Sequence, residues 1–361
     1  AGSIVAGWAE KLYHYKRVRL LQGGAERVLG LSAAGRFGDA QQELAQAGRE
    51  MAHTARASQW RPAGDLLAQA VDLERRVLLG ESKGLHVKGN RLLCEQLNAG
   101  LGGGFVGGQL GVIAGRPGRY KTTYTLQLMV ALLKAYPDLE VAFYSMEMTA
   151  VGLVRKVAAS MARQRYYQGS EFEDPKDAPP FDAARFAVAL SQVAGGELAE
   201  PLSRLHVNES SGWTIGQLLA DADAVLDRRP GVRLMVLDYL QFMDPGVEAQ
   251  FARVGYGDIA KGLARHCRHQ SHTWVALSQL TRAAETRPPA LSDLKESGDI
   301  EQNAAWVLGL HLPNAAKPGE IELRVLKNRE GPGGGCGRLK RHPTGRLGFV
   351  GYGEWMERGD G

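Results

Sequence analysis

Two periodicities divide the chain. From residue 9 to about 80, apolar positions recur at helical spacing: Leu12, Tyr15, Val18 and Leu21 run toward Val28 and Leu31, with a bend expected at Gly23-Gly24. A turn follows at residues 34–38, and Asp39 with Gln42 three residues on resembles a capping box for a second helix reaching Met51. Two such helices make a hairpin too small to hold a core of its own. A third helix is expected from Pro62 to about Leu79, with Leu67, Val71 and Leu78 on one side and Asp65, Asp72, Glu74, Arg75 and Arg76 on the other. That stripe suits a core-facing helix and equally a linker helix docking on a neighbouring subunit; amphipathicity does not separate the two.

After residue 84 the pattern changes. Short apolar runs alternate with helical stretches, which predicts an α/β fold with a mainly parallel sheet and helices on both faces. Strands are expected at 110–114, 140–145, 205–208, 233–238, 273–278, 306–312 and 320–327. The chain thus divides into a helical hairpin (1–58), a linker helix (59–84) and an α/β domain (85–361). The acidic, proline-containing segment 170–180 reads as a surface loop. The tail from Cys336, with Pro343-Thr344-Gly345 as its turn, suggests a terminal hairpin.

Composition narrows the classes without choosing among them. With 361 residues, 44% hydrophobic and 23% charged, the chain has an ordinary globular balance and a length suited to about two domains. It holds no apolar run long enough to span a membrane, and its opening residues lack the pattern of a signal peptide, so a cytoplasmic location is the default expectation. Three scattered cysteines, Cys94, Cys267 and Cys336, form no metal-binding or disulfide pattern. A net charge of +5 permits a nucleic-acid partner and does not require one.

Candidate chemistry begins where a strand meets a helix. Gly115-Arg116-Pro117-Gly118-Arg119-Tyr120-Lys121-Thr122 fits G-x-x-x-x-G-K-[ST] at the first Gly, the Lys and the Thr, while Tyr120 occupies the second Gly position. Such a loop offers backbone N–H groups and a Lys to phosphate, and a hydroxyl to Mg²⁺. An ordinary βα turn is the competing reading. Glu147 follows one strand and could activate a water, or it is a surface residue favoured near a helix start. Asp238 closes the run Leu234-Met235-Val236-Leu237 and is placed as a metal-organising carboxylate would be, although many strands end in Asp. Gln279, at the end of another strand, could sense a terminal phosphate or merely satisfy backbone groups. The charged segment 281–302 suits contact with a phosphate backbone as well as plain solvation.

Taken together and in order, these stretches resemble a known family. Gly115-Arg116-Pro117 with Lys121-Thr122-Thr123, Ser145-Met146-Glu147-Met148, Leu237-Asp238-Tyr239-Leu240-Gln241, Ala276-Leu277-Ser278-Gln279-Leu280, Ser292 to Gly298 with Ile300-Glu301-Gln302, and Lys327-Asn328-Arg329-Glu330-Gly331-Pro332 look like the ordered motifs of the DnaB-type replicative helicases. The similarity spans about residues 85–335. Residues 9–80 look like the end of that family's N-terminal domain and its linker, so a relative shortened at the N-terminus is expected. The resemblance implies a RecA-like P-loop ATPase core, a ring hexamer around single-stranded DNA, ATP and Mg²⁺ at subunit interfaces, and a primase or helicase loader as further partners. Site by site it implies phosphate contact from residues 115–123, with Lys121 and Thr122 foremost, metal at Thr122 and Asp238, and water activation by Glu147. It also implies coupling through Gln279, a finger at Arg329 beside Lys327 entering a neighbour's site, and DNA-backbone contact at Lys295, Glu296 and Gly298. Arg253 and Arg282 are DNA candidates on charge and loop position alone. Two alternatives share the fold: a RecA-like recombination or repair ATPase, and a ring protein whose nucleotide site is impaired at Tyr120.

Overall fold

The central apolar runs serve two cores at once. In β1 (Leu110–Gly115) Ile113 packs into one hydrophobic cluster while Leu110, Val112 and Ala114 pack into a second. Full burial on both faces is what a continuous apolar run requires. In chain order the elements that follow are α1 (Lys121–Ala135), β2 (Glu140–Ser145), α2 (Ala150–Met161), α3 (Ala199–Ser203), β3 (Leu205–Asn208), α4 (Ile215–Arg228) and β4 (Val232–Asp238). Then come α5 (Ala252–Gln270), β5 (Thr273–Gln279), α6 (Gly298–Asn303), β6 (Trp306–His311), β7 (Glu320–Asn328), β8 (Gly334–Arg341) and β9 (Leu347–Phe349). The computed structural model describes residues 23–40, 84–87, 103–161, 198–248, 251–285, 287–295, 298–312, 320–331, 333–341 and 347–349, with isolated positions between them.

The strands form one nine-stranded sheet in the order β3-β2-β4-β5-β1-β6-β7-β8-β9. Pairing is parallel from β3 through β6 and antiparallel from β7 onward. The first cluster takes Leu126, Met129, Leu132 and Leu133 of α1 with Leu153 and Val157 of α2; the second takes Leu218 and Ala222 of α4 with Ile259, Leu263 and Cys267 of α5. Helices therefore cover both faces, as the alternating pattern predicts. Helix α4 begins with a reciprocal cap: the Thr214 hydroxyl accepts from the Gln217 N–H, and the Gln217 side chain accepts from the Thr214 N–H.

One close approach fixes the central strand. A Cβ on Gly111 would lie 1.9 Å from the ring of Trp306, so β1 and β6 pack this tightly only with glycine there. All expected strands are present; β1 reaches Gly115, β5 reaches Gln279 and β7 reaches Asn328. The expected terminal hairpin corresponds to the antiparallel β8 and β9.

Residues 1–75 and 76–361 separate into two units. Within the first, residues 23–33 are helical, a turn with Gly35 at φ 73° follows, and helix resumes at 37–40. Asp39 lies inside that helix, and its carboxylate accepts from Arg36 Nε at 2.6 Å, so it does not act as the cap that the Asp39–Gln42 spacing suggested. The helix positions expected at 9–22 and 44–51, the helix expected over 62–79 apart from Val71, the 170–180 segment and Glu296 lie outside the described residues.

Candidate nucleotide site

Parallel register brings the strand ends to one edge. Gly115 of β1 pairs with Gln279 of β5, and Ser145 of β2 pairs with Asp238 of β4. Open α/β sheets bind ligands outside these carboxyl ends. Between β1 and α1 the chain makes a turn in which Arg119 N–H donates to Arg116 O at 3.1 Å and Gly118 has φ 70°. Tyr120 then adopts φ 60°, ψ 17°, and α1 starts at Lys121. The left-handed conformation costs a non-glycine residue about 1–2 kcal/mol. The backbone of this aromatic residue takes a glycine-like conformation while its ring packs on the first core cluster.

Arg116 anchors the loop laterally. Its Nε and Nη2 donate to Glu285 Oε1 at 2.8 and 2.6 Å, and its Nη1 donates to Leu280 O at 2.9 Å. Pro117 and Gly118 are exposed at the tip, and Thr123 is buried in the first turn of α1.

Lys121 is buried, and its Nζ donates to the Gly115 carbonyl at 3.1 Å and to that of Arg116 at 3.4 Å. Desolvation lowers its pKa, an effect opposed by the charges of Asp238 and Glu147. Thr122 Oγ1 donates to Asp238 Oδ2 at 2.7 Å. Asp238 is fully buried, and burial raises its pKa to about 6 against the restraining hydrogen bond from Thr122. Its other oxygen, Oδ1, has no hydrogen-bond partner among the described residues. A buried carboxylate oxygen left open beside a hydroxyl is the hard-oxygen donor set that suits Mg²⁺, which takes one or two protein ligands and leaves the rest to water and phosphate. Among the described residues no group of three or more His, Cys, Asp or Glu is placed to hold a metal ion.

Glu147 is exposed beyond β2, close enough for its charge to act on Lys121, Asp238 and Tyr239. A second lysine, which no motif marks, joins this group. Lys156 of α2 is largely desolvated, which lowers its pKa, while Asp238 and Glu147 raise it. Its Nζ lies 3.9 Å from Met148 Sδ. The available signal was a basic residue placed between Leu153 and Val157 on the apolar side of a helix. Tyr239 is a further addition to the site: Lys121 Nζ stands 5.8 Å from its ring centroid, and Gln279 Nε2 donates to its hydroxyl at 2.7 Å.

Lys327 and Arg329 lie elsewhere. Antiparallel β7 runs back along β6, pairing Lys327 with Val307 and Asn328 with Trp306, and Trp306 sits opposite Gly111 at the start of β1. The four steps from Gly111 to Gly115 span about 13 Å at about 3.3 Å each, so these basic residues occupy the sheet edge away from the loop. There Lys327 Nζ donates to Glu301 O at 2.5 Å, and Arg329 Nη2 donates to Gln302 O. Desolvation, then the charge of Arg329, lowers the Lys327 pKa.

Lys295 is exposed on the turn before α6, and Gly298 begins that helix. Arg253 of α5 is exposed, with Nη2 3.6 Å from where a Gly298 Cβ would stand, so Arg253 and Gly298 are neighbours. Arg282 is exposed on the turn Arg282–Glu285, where its charge acts on Glu285.

The family model for the DnaB-like helicase C-terminal domain matches residues 94–340. The chain belongs to this family. It is 30% identical over 236 residues to the replicative DNA helicase DnaB of Leifsonia xyli subsp. xyli, covering 62% of this chain and 48% of that protein. To the DnaB of Pasteurella multocida it is 29% identical over 230 residues, covering 61% and 47%. The chain therefore spans about half the length of the curated relatives it matches. Among solved structures, an isolated ATPase domain aligns with TM-score 0.61 at 20% identity, over 79% of this chain and 98% of that one. A DnaB-like replicative helicase, from a structure describing its interactions with primase, aligns with TM-score 0.65 at 20% identity, over 94% and 76%. These two likenesses establish the RecA-like fold of the sheet and its helices.

Proposed function

We propose that this DnaB-family chain is an ATP-hydrolysing helicase subunit that assembles into a ring, a hexamer as in the family, and translocates on single-stranded DNA. One observation carries the reading: Lys121, Thr122 and Asp238, drawn from motifs more than a hundred residues apart in sequence, meet at one sheet edge through the 2.7 Å Thr122–Asp238 hydrogen bond. Glu147, Gln279 and Tyr239 surround that point. In the proposed site Lys121 leaves the Gly115 and Arg116 carbonyls for the terminal phosphates of ATP, and the backbone N–H groups of Gly118, Tyr120, Lys121 and Thr122 face the remaining phosphate oxygens. Thr122 and the open Asp238 oxygen would hold Mg²⁺, which neutralises phosphate charge when bound. Glu147 orients the attacking water and takes its proton as the bond to the leaving ADP oxygen breaks.

Lys327 and Arg329 face away from their own subunit's loop, which favours delivery to a neighbour's site, where a cation stabilises charge developing on the transferred phosphoryl group. The surface of Lys295, Gly298 and Arg253 is proposed to follow the DNA backbone, giving binding that is independent of sequence and weakened by salt. A primase or loader contact and a cytoplasmic setting belong to the same reading; among the described residues no helix is long and apolar enough to cross a membrane. Tyr120 in a left-handed conformation, the one a glycine would take there, is compatible with a working loop and favours this reading over the impaired-site alternative. Strand displacement on forked DNA by wild type and Lys121→Ala tests the proposal. Wild type should unwind with ATP and the variant should not, and equal unwinding by both would remove the loop from the mechanism. ATPase turnover without unwinding would favour a recombination or repair ATPase.

A further inference from the structure

Gln241 is not among the residues that face the nucleotide, yet it ties together the two segments on which coupling depends. It lies in the single turn Leu240–Phe242 that follows β4. Its Oε1 accepts from the Gln279 N–H at 3.2 Å, and its Nε2 donates to Ser278 Oγ at 3.2 Å and to the Lys295 carbonyl at 3.5 Å. Its own carbonyl accepts from the Tyr256 hydroxyl of α5 at 3.1 Å, which holds the turn in place. The end of β5 also meets the following segment directly: Lys295 N–H donates to Gln279 O at 2.9 Å, and Leu280 bridges Leu294. On the nucleotide side the same Gln279 bonds the Tyr239 hydroxyl, whose ring lies below Lys121.

We propose that Gln241 is a positioning residue that makes the end of β5 and the Lys295 turn move as one body, so that a nucleotide-dependent shift of Gln279 changes the grip on DNA. The inference rests on the ATP-driven reading given above and assigns its transmission. The chemistry of the side chain explains the residue type. The position needs an acceptor for one backbone N–H and a donor for one backbone carbonyl on a single arm, and a primary amide supplies both. Glutamate keeps the acceptor and turns a carboxylate oxygen toward the Lys295 carbonyl. Methionine matches the length and offers neither group.

The test uses the full chain as wild type, Gln241→Met and Gln241→Glu. Anisotropy of a labelled oligo-dT measures DNA affinity with a non-hydrolysable ATP analogue and with ADP, and ATPase turnover is measured with and without oligo-dT. Coupling between two sites is typically about 5- to 150-fold in affinity. Both variants should hydrolyse ATP without DNA within about twofold of wild type, while the ratio of DNA affinities in the two nucleotide states falls toward one and stimulation by DNA is lost. A role limited to stability would lower all activities together and leave that ratio intact. A wild-type ratio in Gln241→Met overturns the inference, and if that variant does not fold, a wild-type ratio in Gln241→Glu does so. A wild-type protein whose DNA affinity ignores nucleotide overturns the functional reading and the inference with it.

Discussion

Tyr120 offers a sharp test of the loop, because its backbone and its ring act in opposite directions. At φ 60°, ψ 17° a residue with a Cβ bears about 1–2 kcal/mol that glycine does not. Glycine in turn loses about 0.4–1 kcal/mol by freeing the unfolded chain. The ring adds packing against the first core cluster that both Tyr120→Gly and Tyr120→Ala forfeit equally. The packing loss therefore cancels in the comparison of the two variants, and glycine should exceed alanine in stability by about 0.5–1 kcal/mol. In a domain of this size that is a melting-temperature difference of about 2 °C, measurable by calorimetry or circular dichroism on nucleotide-free protein. The glycine variant should also keep its affinity for an ATP analogue within a few-fold of wild type, since the loop geometry is unchanged. Alanine equal to or more stable than glycine would refute the left-handed conformation as the source of the cost. A glycine variant that no longer binds nucleotide would show that the ring itself contacts the ligand.

Three other outcomes are expected. Gly111→Ala forces a methyl group to within 1.9 Å of the Trp306 ring and should destabilise the protein by about 1–3 kcal/mol or more, so an unchanged melting temperature would contradict the packing of β1 on β6. Glu147→Gln should lower turnover by about 10²- to 10⁴-fold while analogue binding persists, and wild-type turnover would dismiss Glu147 as the base. His272 is buried, with Nε2 3.1 Å from His266 Nδ1, and burial together with that neighbouring imidazole holds its pKa down at about 4. Because the unfolded chain takes up the proton first, this contribution is complete above about pH 6.5 and is lost as pH falls toward 4, to a maximum of about 3 kcal/mol. Asp238, raised to about 6, works in the opposite sense, so the quantity to follow is the difference in urea midpoint between wild type and His272→Gln from pH 7 to 4. A difference that does not vary with pH would refute it.

What could be seen in the sequence follows from range. The apolar strands and their alternation with helices are local patterns, and the central strands β1, β2, β4 and β5 read clearly because burial on two faces demands a continuous apolar run. Lys121, Thr122 and Asp238 were legible for a related reason: parallel strands bring every carboxyl end to one edge, so position along a strand predicts position in space. Lys156 was not legible in this way, since its approach to Asp238 and Glu147 depends on how α2 lies across the sheet. The bond between Gln279 and Tyr239 depends on two side chains from adjacent strands, and no spacing encodes it. The antiparallel course of β7 left a trace that its length and composition mask: Ile321-Glu322-Leu323-Arg324-Val325 alternates, as a strand with one polar face does, unlike the continuous apolar runs of the parallel strands. The Asp39–Gln42 spacing failed for the opposite reason: a local pattern matched, but Arg36 captured the carboxylate first.

The reversal of β7 has a genetic consequence. It leaves Arg329 at the edge remote from its own Lys121, so on the proposed reading a head-to-tail ring would complete each reaction centre from two chains. On the proposed reading, Lys121→Ala and Arg329→Ala are each inactive alone, yet each carries what the other lacks. In rings assembled from an equal mixture, about a quarter of the junctions pair an intact loop with an intact guanidinium. Hydrolysis would then reappear when two dead preparations are combined, as complementation between alleles of a single locus.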